Sequence, residues 1–344
     1  MLFIRVDANE KIGIGHMMRC MAIAKEAMHQ NKKCTFIVSD NKSKEEIEKF
    51  GFSTICLNSK WNDMEYEIDI LSNLISEYRV SVLIVDSYYV TKKYIEEIGQ
   101  ITKFIYLGDL KYSVENLACL INYNNYYEKF NYDITFKNKN TILLLGMKFT
   151  PLREEFCNIK TRKSVKKNVS KILITTGGTD PNNMAGKLAN YIVSNDNHNI
   201  SLDIVVGSLN KNLRFLYNIE KEKSNIKLHI DTDNIAMLMS ESDIAVSAGG
   251  TTLYELSACG VPTICYAFVD NQLDSINEFM KNEIMISVGD IRGKESEVIK
   301  LIYEKICFLR ENYGVRNNMT DKMYNLIDNK GCYRIIKHIN KLLI

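Results

Sequence analysis

The chain has 344 residues, 46% of them apolar and 25% charged, an ordinary globular composition at a length of about two domains. With 44 Lys and Arg against 42 Asp and Glu, the net charge of +2 excludes a nucleic-acid binder that relies on a general basic excess. Nine cysteines without a C-x-x-C and five scattered histidines argue against a disulfide framework, a zinc site or a histidine metal site.

The predicted elements alternate. Leu2 to Val6 is a first strand, followed by a glycine-containing loop and a helix over Met17 to Gln30. Arg5, Asp7 and Glu10 interrupt any leader-like apolar stretch, no apolar run approaches the length of a membrane span, and the expected location is cytoplasmic. Strands at Cys34 to Val38 and Ser53 to Leu57 flank a helix near Lys44 to Phe50. A helix over Met64 to Tyr78 precedes a strong apolar strand, Val80 to Val85. A helix from Thr91 to Thr102 and strands at Lys103 to Leu107 and Ala118 to Ile121 follow. Segment 151–168 is basic (Arg153, Lys160, Arg162, Lys163, Lys166, Lys167) and reads as a linker. The pattern restarts with strands at Lys171 to Thr175, Ser201 to Val206, Ile226 to His229, Ile244 to Ser247 and Pro262 to Ala267. Continuous apolar strands separated by helices imply parallel sheets covered on both faces.

The expected fold is therefore α/β, with two doubly wound Rossmann-like domains facing across a cleft. The expected domains are 1–150, a linker 151–168, and 169–344. Ligands in such sheets bind beyond the carboxyl ends of the strands, which is where the motifs fall.

Arg5-Val6-Asp7 and Gly13-Ile14-Gly15-His16-Met17-Met18-Arg19-Cys20 follow the first strand and open the first helix. A dinucleotide fingerprint there needs glycine at position 18, which is Met18, although Asp40 would suit a ribose. His16 sits at the first helical turn, whose positive end favours a neutral imidazole able to accept a proton. A capping or core histidine is the alternative. Val85-Asp86-Ser87-Tyr88-Tyr89 ends the strong strand; Asp86 suits a turn cap and Tyr88 a hydrogen-bonding contact.

Thr175-Thr176-Gly177-Gly178-Thr179-Asp180-Pro181 suits a phosphate or sugar, or a purely structural turn. The most specific stretch is Asp243 to Leu256, in which a strand ends in Gly249-Gly250-Thr251-Thr252 and a helix begins. Backbone N–H groups and hydroxyls there suit a diphosphate, and Glu255, one turn on, suits the two hydroxyls of a ribose. The alternative is a well-capped helix with an exposed acid. Asn271 and Gln272 offer amide donors after the next strand. Asp231-Thr232-Asp233 is discounted as a metal motif, since no further acid completes a magnesium site.

The stretch from about 230 to 272 resembles nucleotide-sugar enzymes of the GT-B type. Together with R-x-D, G-x-G-H-x-x-R-C, V-D-S-Y, L-R-E-E-F (Leu152 to Phe156) and G-G-T-D in order, the chain resembles the UDP-sugar hydrolases of pseudaminic-acid biosynthesis from residue 2 to about 280. That family removes UDP from UDP-2,4-diacetamido-2,4,6-trideoxy-β-L-altropyranose. The resemblance implies that His16 is the base that activates water, with Asp7, Gly15 and Arg19 in its loop and Tyr88 a substrate contact. It implies a ligand segment ending at Asn210, uracil contacts at Thr232 and Ile235, and a diphosphate loop at Gly249, Gly250, Thr251 and Thr252. It further implies a ribose acid at Glu255, the amide pair Asn271 and Gln272, and the Gly177–Gly178 turn. Neutral His16 would then take a proton from water attacking the anomeric carbon opposite UDP, with inversion. The expected partner is a UDP-sugar, without nucleic acid or membrane span, and neither cofactor nor metal is called for. A GT-B transferase and a non-catalytic UDP-sugar-binding protein are the rival classes. Residues after about 290 carry little signature, and the oligomeric state is not legible.

Overall fold

The computed structural model describes every residue except 10, 138, 158, 160–163, 197–199, 208, 209 and 344. Glu10, Lys160, Arg162, Lys163, Ser208 and Leu209 thus lie outside the described residues. The chain forms two compact units, Met1–Glu154 with Asn329–Ile344, and Glu155–Asp328.

In chain order the first unit contains β1 (Leu2–Val6), α1 (Gly15–His29), β2 (Cys34–Val38), α2 (Asn41–Glu48), β3 (Ser53–Cys56), α3 (Ile68–Tyr78) and β4 (Val82–Asp86). It continues with α4 (Lys92–Ile101), β5 (Lys103–Leu107), β6 (Leu117–Asn122), α5 (Tyr132–Thr135) and β7 (Ile142–Leu145). The seven strands pair in parallel in the order β3-β2-β1-β4-β5-β6-β7. β1, β2 and β4 are buried along their whole length, which is why they read as unbroken apolar runs rather than alternation. One core cluster joins Phe3, Ile37 and Leu83 of the sheet to Leu71 and Ile75 of α3 and Tyr94 and Ile98 of α4. Each such fully buried side chain stabilises the unit by about 1.5–3 kcal/mol.

The second unit contains α6 (Glu154–Cys157), which starts at the boundary, then β8 (Lys171–Thr175), α7 (Met184–Asn195), β9 (Ser201–Val206), α8 (Leu213–Glu222), β10 (Ile226–Ile230) and α9 (Ile235–Glu241). β11 (Ile244–Ala248), α10 (Thr252–Ala258), β12 (Thr263–Ala267), α11 (Asp270–Lys281), β13 (Ile286–Asp290), α12 (Glu295–Glu311) and α13 (Tyr313–Leu326) complete it. Its six parallel strands run β10-β9-β8-β11-β12-β13.

The last helix, α14 (Gly331–Leu342), corrects the expected boundary: it belongs with the first unit. Its apolar stripe (Cys332, Ile335, Ile336, Ile339) is buried, and Asn340 Nδ2 donates to Gln30 Oε1 at 3.1 Å just past α1. Gly331 lies so close to the Thr150 carbonyl that a Cβ has no room there.

One polar network is buried at the carboxyl end of β1. Arg5 has no exposed surface, and its guanidinium donates to both Glu67 oxygens at 2.8 Å and to Asp7 Oδ2 at 2.6 Å. Tyr94 and Ser59 hydroxyls also donate to Glu67. Such a network is tolerable because each charge is paired and hydrogen-bonded.

Two elements lie outside the strands expected from sequence, β7 and β13. Both are only half-buried edge strands, so their apolar signal is weak. The expected helix over 64–78 is a 3₁₀ turn, Met64–Glu67, continued by α3.

Candidate functional site

The topology of each sheet marks one point where successive connections leave in opposite directions. In the first unit it lies between β1 and β4, and in the second between β8 and β11. Open α/β sheets bind ligands outside the strand carboxyl ends at such points. Register brings the relevant residues together. Val6 pairs with Asp86, and Ser247 pairs with Thr175, so the loops that follow leave their sheets side by side.

At the β1/β4 point, Gly13 turns with φ +72° and its N–H donates to the Asn9 carbonyl at 2.8 Å. The Asn9 side chain accepts from Lys11 and Ile12 N–H groups, closing the turn. α1 then starts at Gly15 without a side-chain cap, so His16 is not a capping residue. Residues three and four apart share a helix face, and the H-x-x-R-C spacing therefore turns His16, Arg19 and Cys20 toward one target. That target is Asp86, the last residue of β4. His16 Nδ1 lies 2.5 Å from Asp86 Oδ1. Arg19 Nε and Nη2 donate to Oδ2 and Oδ1, both at 2.5 Å, and Cys20 Sγ donates to Oδ2 at 3.5 Å. Arg19 Nη1 donates to Tyr123 Oη at 2.9 Å.

Burial pushes the Asp86 carboxyl up, but the Arg19 guanidinium and then the His16 ring outweigh it and hold it well below the usual carboxylate range. An ionised carboxylate only accepts hydrogen bonds. The Nδ1 atom of His16 must therefore carry hydrogen, and in the neutral ring the lone pair then lies on Nε2. Nε2 has no hydrogen-bond partner among the described residues. Arg19 Nη2 lies 2.9 Å from Nδ1; with hydrogen on both atoms this is a close approach of two donors, not a hydrogen bond. Tyr88 is 59% exposed, and its ring meets the His16 ring edge-on with centroids 4.3 Å apart.

Other expected residues have different surroundings. Asp7 is buried, and its oxygens accept from Ser39 N at 2.7 Å and Arg5 Nη1 at 2.6 Å, so it ties the carboxyl end of β1 to that of β2. Gly15 is the first residue of α1. Asp40, the would-be ribose acid of a dinucleotide site, caps α2 by accepting from Ser43 N at 2.7 Å. Asp86, read from sequence as a turn cap, is instead the centre of the cluster. Asp86 and Tyr123 are the residues that sequence reasoning missed. The available signal for Asp86 was an acid closing the strongest apolar strand.

In the second unit, Gly177 has φ +79° and begins the turn after β8. A Cβ at Gly207 would lie 2.5 Å from Gly178 Cα, so the ends of β8 and β9 approach backbone to backbone. Asp180 oxygens accept from Met184 N at 2.8 Å and Ala185 N at 3.0 Å, tying the turn to α7. Asn210 is buried; its Oδ1 accepts from Asn212 N at 2.7 Å and its Nδ2 has no partner among the described residues. Thr232 Oγ1 accepts from Asn234 N at 3.2 Å, and Ile235 is the buried first residue of α9. Glu155 of L-R-E-E-F accepts from Ala236 N at 3.2 Å in that same first turn.

Gly249 donates its N–H to the Tyr266 carbonyl at 2.7 Å, and Gln272 packs where its Cβ would stand. Gln272 Oε1 accepts from Phe268 N at 3.0 Å. Gly250 and Thr251 lead into α10, which begins at Thr252 and carries half-buried Glu255 in its first turn. Asn271 is exposed in the first turn of α11. Gly177 and Gly178 on one strand end and Gly249 to Thr252 on the neighbouring one thus flank the β8/β11 point. Thr232, Ile235 and Asn210 stand at the ends of β9 and β10, farther along the same sheet edge. No group of three or more His, Cys, Asp or Glu side chains among the described residues is arranged to hold a metal ion. No helix is long and apolar enough to cross a membrane, among the described residues.

No family model matches the chain. An uncharacterized protein of Methanocaldococcus jannaschii is 27% identical over 288 residues, covering 81% of this chain and 58% of that protein. The chain thus spans little more than half the length of that relative. The UDP-2,4-diacetamido-2,4,6-trideoxy-β-L-altropyranose hydrolase of Campylobacter jejuni is 28% identical over 279 residues, 79% of this chain and 93% of the relative. The spore coat polysaccharide biosynthesis protein SpsG of Bacillus subtilis is 26% identical over 197 residues, 57% of each. Among solved structures, MurG of Acinetobacter baumannii superposes with a TM-score of 0.64 at 12% identity over 99% of both chains. The calicheamicin glycosyltransferase CalG4 gives 0.67 at 11% identity over 99% of this chain and 98% of its own. The fold is thus that of the GT-B glycosyltransferases, with two Rossmann-like parallel-sheet units.

Proposed function

We propose that this chain is a hydrolase that releases UDP from UDP-2,4-diacetamido-2,4,6-trideoxy-β-L-altropyranose, a step of pseudaminic acid biosynthesis. The observation that carries the reading is the His16 ring: Nδ1 is bound to an ionised Asp86 while Nε2 has no partner among the described residues. That is the tautomer a general base needs. The resemblance to the Campylobacter jejuni hydrolase over 279 residues supports the choice of substrate.

In the proposed reaction, Nε2 takes a proton from water as the water oxygen bonds to the anomeric carbon. The bond from that carbon to the UDP oxygen breaks, and UDP leaves with the electron pair. Attack opposite the leaving group inverts the centre. Asp86 stabilises the imidazolium that forms. The Gly177–Gly178 turn, Asn210, the Gly249 to Thr252 loop and Glu255 are proposed to hold the nucleotide, with Thr232 and Ile235 at the base. Tyr88, Asn271 and Gln272 are proposed sugar and phosphate contacts.

The test is incubation of the purified protein with this UDP-sugar, EDTA present and no acceptor, followed by NMR. Free diacetamido sugar plus UDP is the expected result. A His16→Asn protein should still bind the UDP-sugar while turnover falls by about 10²–10⁴-fold. UDP release only when a sugar acceptor is added would replace the reading with a transferase. Tight binding without turnover would replace it with a binding protein.

A further inference from the structure

We propose that Arg19 is a positioning residue that acts on the base through Asp86, rather than a substrate contact. The inference rests on the reading of His16 as the base and deepens it.

A guanidinium has five N–H donors. Arg19 gives Nε–H and one Nη2–H to the two oxygens of Asp86, and one Nη1–H to Tyr123 Oη. Its second Nη2 hydrogen lies on the His16 side, where Nη2 is 2.9 Å from the ring. The Tyr123 ring also lies against the guanidinium, 5.7 Å from Cζ to the centroid. One Nη1 hydrogen is left, too little for the two-pronged grip by which arginine holds phosphate.

The surroundings of the ring explain what this arrangement does. Arg19 faces it from α1, Asp86 from β4 and Tyr88 from the following turn; Cys20 of α1 bonds Asp86, Tyr106 of β5 donates to the Ser87 carbonyl, and Tyr123 after β6 bonds Arg19. Burial pushes the Cys20 thiol and the Tyr106 phenol up, so both stay protonated. With a neutral ring, the Arg19–Asp86 charges cancel. Protonating the ring makes a buried net cation beside a second cation. Arg19 therefore opposes premature protonation of Nε2 while its two bonds to Asp86 fix the carboxylate that holds Nδ1–H.

The test reads the ring directly. Protein labelled with ¹⁵N-histidine is titrated by two-bond ¹H–¹⁵N NMR, with His16→Asn used to assign the resonance. Arg19→Met should raise the pH midpoint of the His16 ring by about one unit or more. The acid limb of the pH–rate profile should move with it, and UDP-sugar affinity should stay within about threefold of wild type. Arg19→Lys keeps a charge but cannot span both Asp86 oxygens and Tyr123. It should give a smaller upward shift, and it serves if the Met variant does not fold. An unmoved midpoint in either folded variant, with affinity lowered tenfold, would overturn the inference and make Arg19 a substrate contact. Failure of the wild-type protein to hydrolyse the sugar would instead overturn the reading of His16 as a hydrolytic base, whatever the ring titration shows.

Discussion

His16 Nδ1 and Asp86 Oδ1 stand 2.5 Å apart across 70 residues of sequence. The parallel pairing of β1 with β4 brings them together, because Asp86 lies opposite Val6 at the carboxyl edge. In the neutral ring the pair places the hydrogen on Nδ1 and the lone pair on Nε2.

Removing the charge of Asp86 while keeping its shape tests that assignment. Asp86→Asn offers Nδ1 an amide in place of a carboxylate and permits the opposite tautomer. Turnover is expected to fall by about 10²–10⁴-fold with substrate affinity little changed, measured as kcat and the dissociation constant separately.

The same carboxylate makes stability depend on pH. Its folded-state pKa is depressed by Arg19 and His16 against the opposing effect of burial. The unfolded chain therefore binds this proton more readily, and the stabilisation is present above the unfolded carboxylate value of about 4 and lost as pH falls below it. Urea midpoints should converge for wild type and Asp86→Asn as the pH is lowered from 7 toward 3. A constant difference between them would contradict the assignment.

Glu67 should matter for stability rather than chemistry. Glu67→Ala takes two hydrogen bonds from the fully buried Arg5 guanidinium, leaving Asp7 as its carboxylate partner, and removes the acceptor of the Tyr94 and Ser59 hydroxyls. A loss of about 3–5 kcal/mol is expected by urea denaturation. Glu67→Gln, which keeps the volume and an acceptor for Arg5, should lose less.

Gly207→Ala tests the second unit. The added methyl meets the Gly178 backbone at 2.5 Å, and backbone cannot rotate away as a side chain can. The β8 turn should shift, with a stability cost of about 1–3 kcal/mol. UDP affinity, read by calorimetry, should drop while the His16 ring titration stays unchanged.

Much of the fold was legible because β1, β2, β4, β8, β11 and β12 are continuous apolar runs, the mark of strands buried on both faces. β7 and β13 escaped because edge strands are half-exposed and carry a diluted pattern. The return of α14 to the first unit was not legible, since its apolar stripe says that a face is buried but not against what. At the site, the glycine loops and His16 stood out as local motifs. Asp86 looked like a turn cap because only strand order reveals that β4 lies beside β1. Asp7 looked like a site residue, yet its oxygens are taken by Ser39 and Arg5.

Hydrolysis in ¹⁸O-labelled water, read by mass spectrometry of both products with NMR of the first sugar anomer formed, tests His16-activated water attack most directly. One ¹⁸O in the sugar, none in UDP, and an inverted first anomer are expected. Label in the β-phosphate of UDP, or retention at the anomeric carbon, would contradict direct water attack at that carbon.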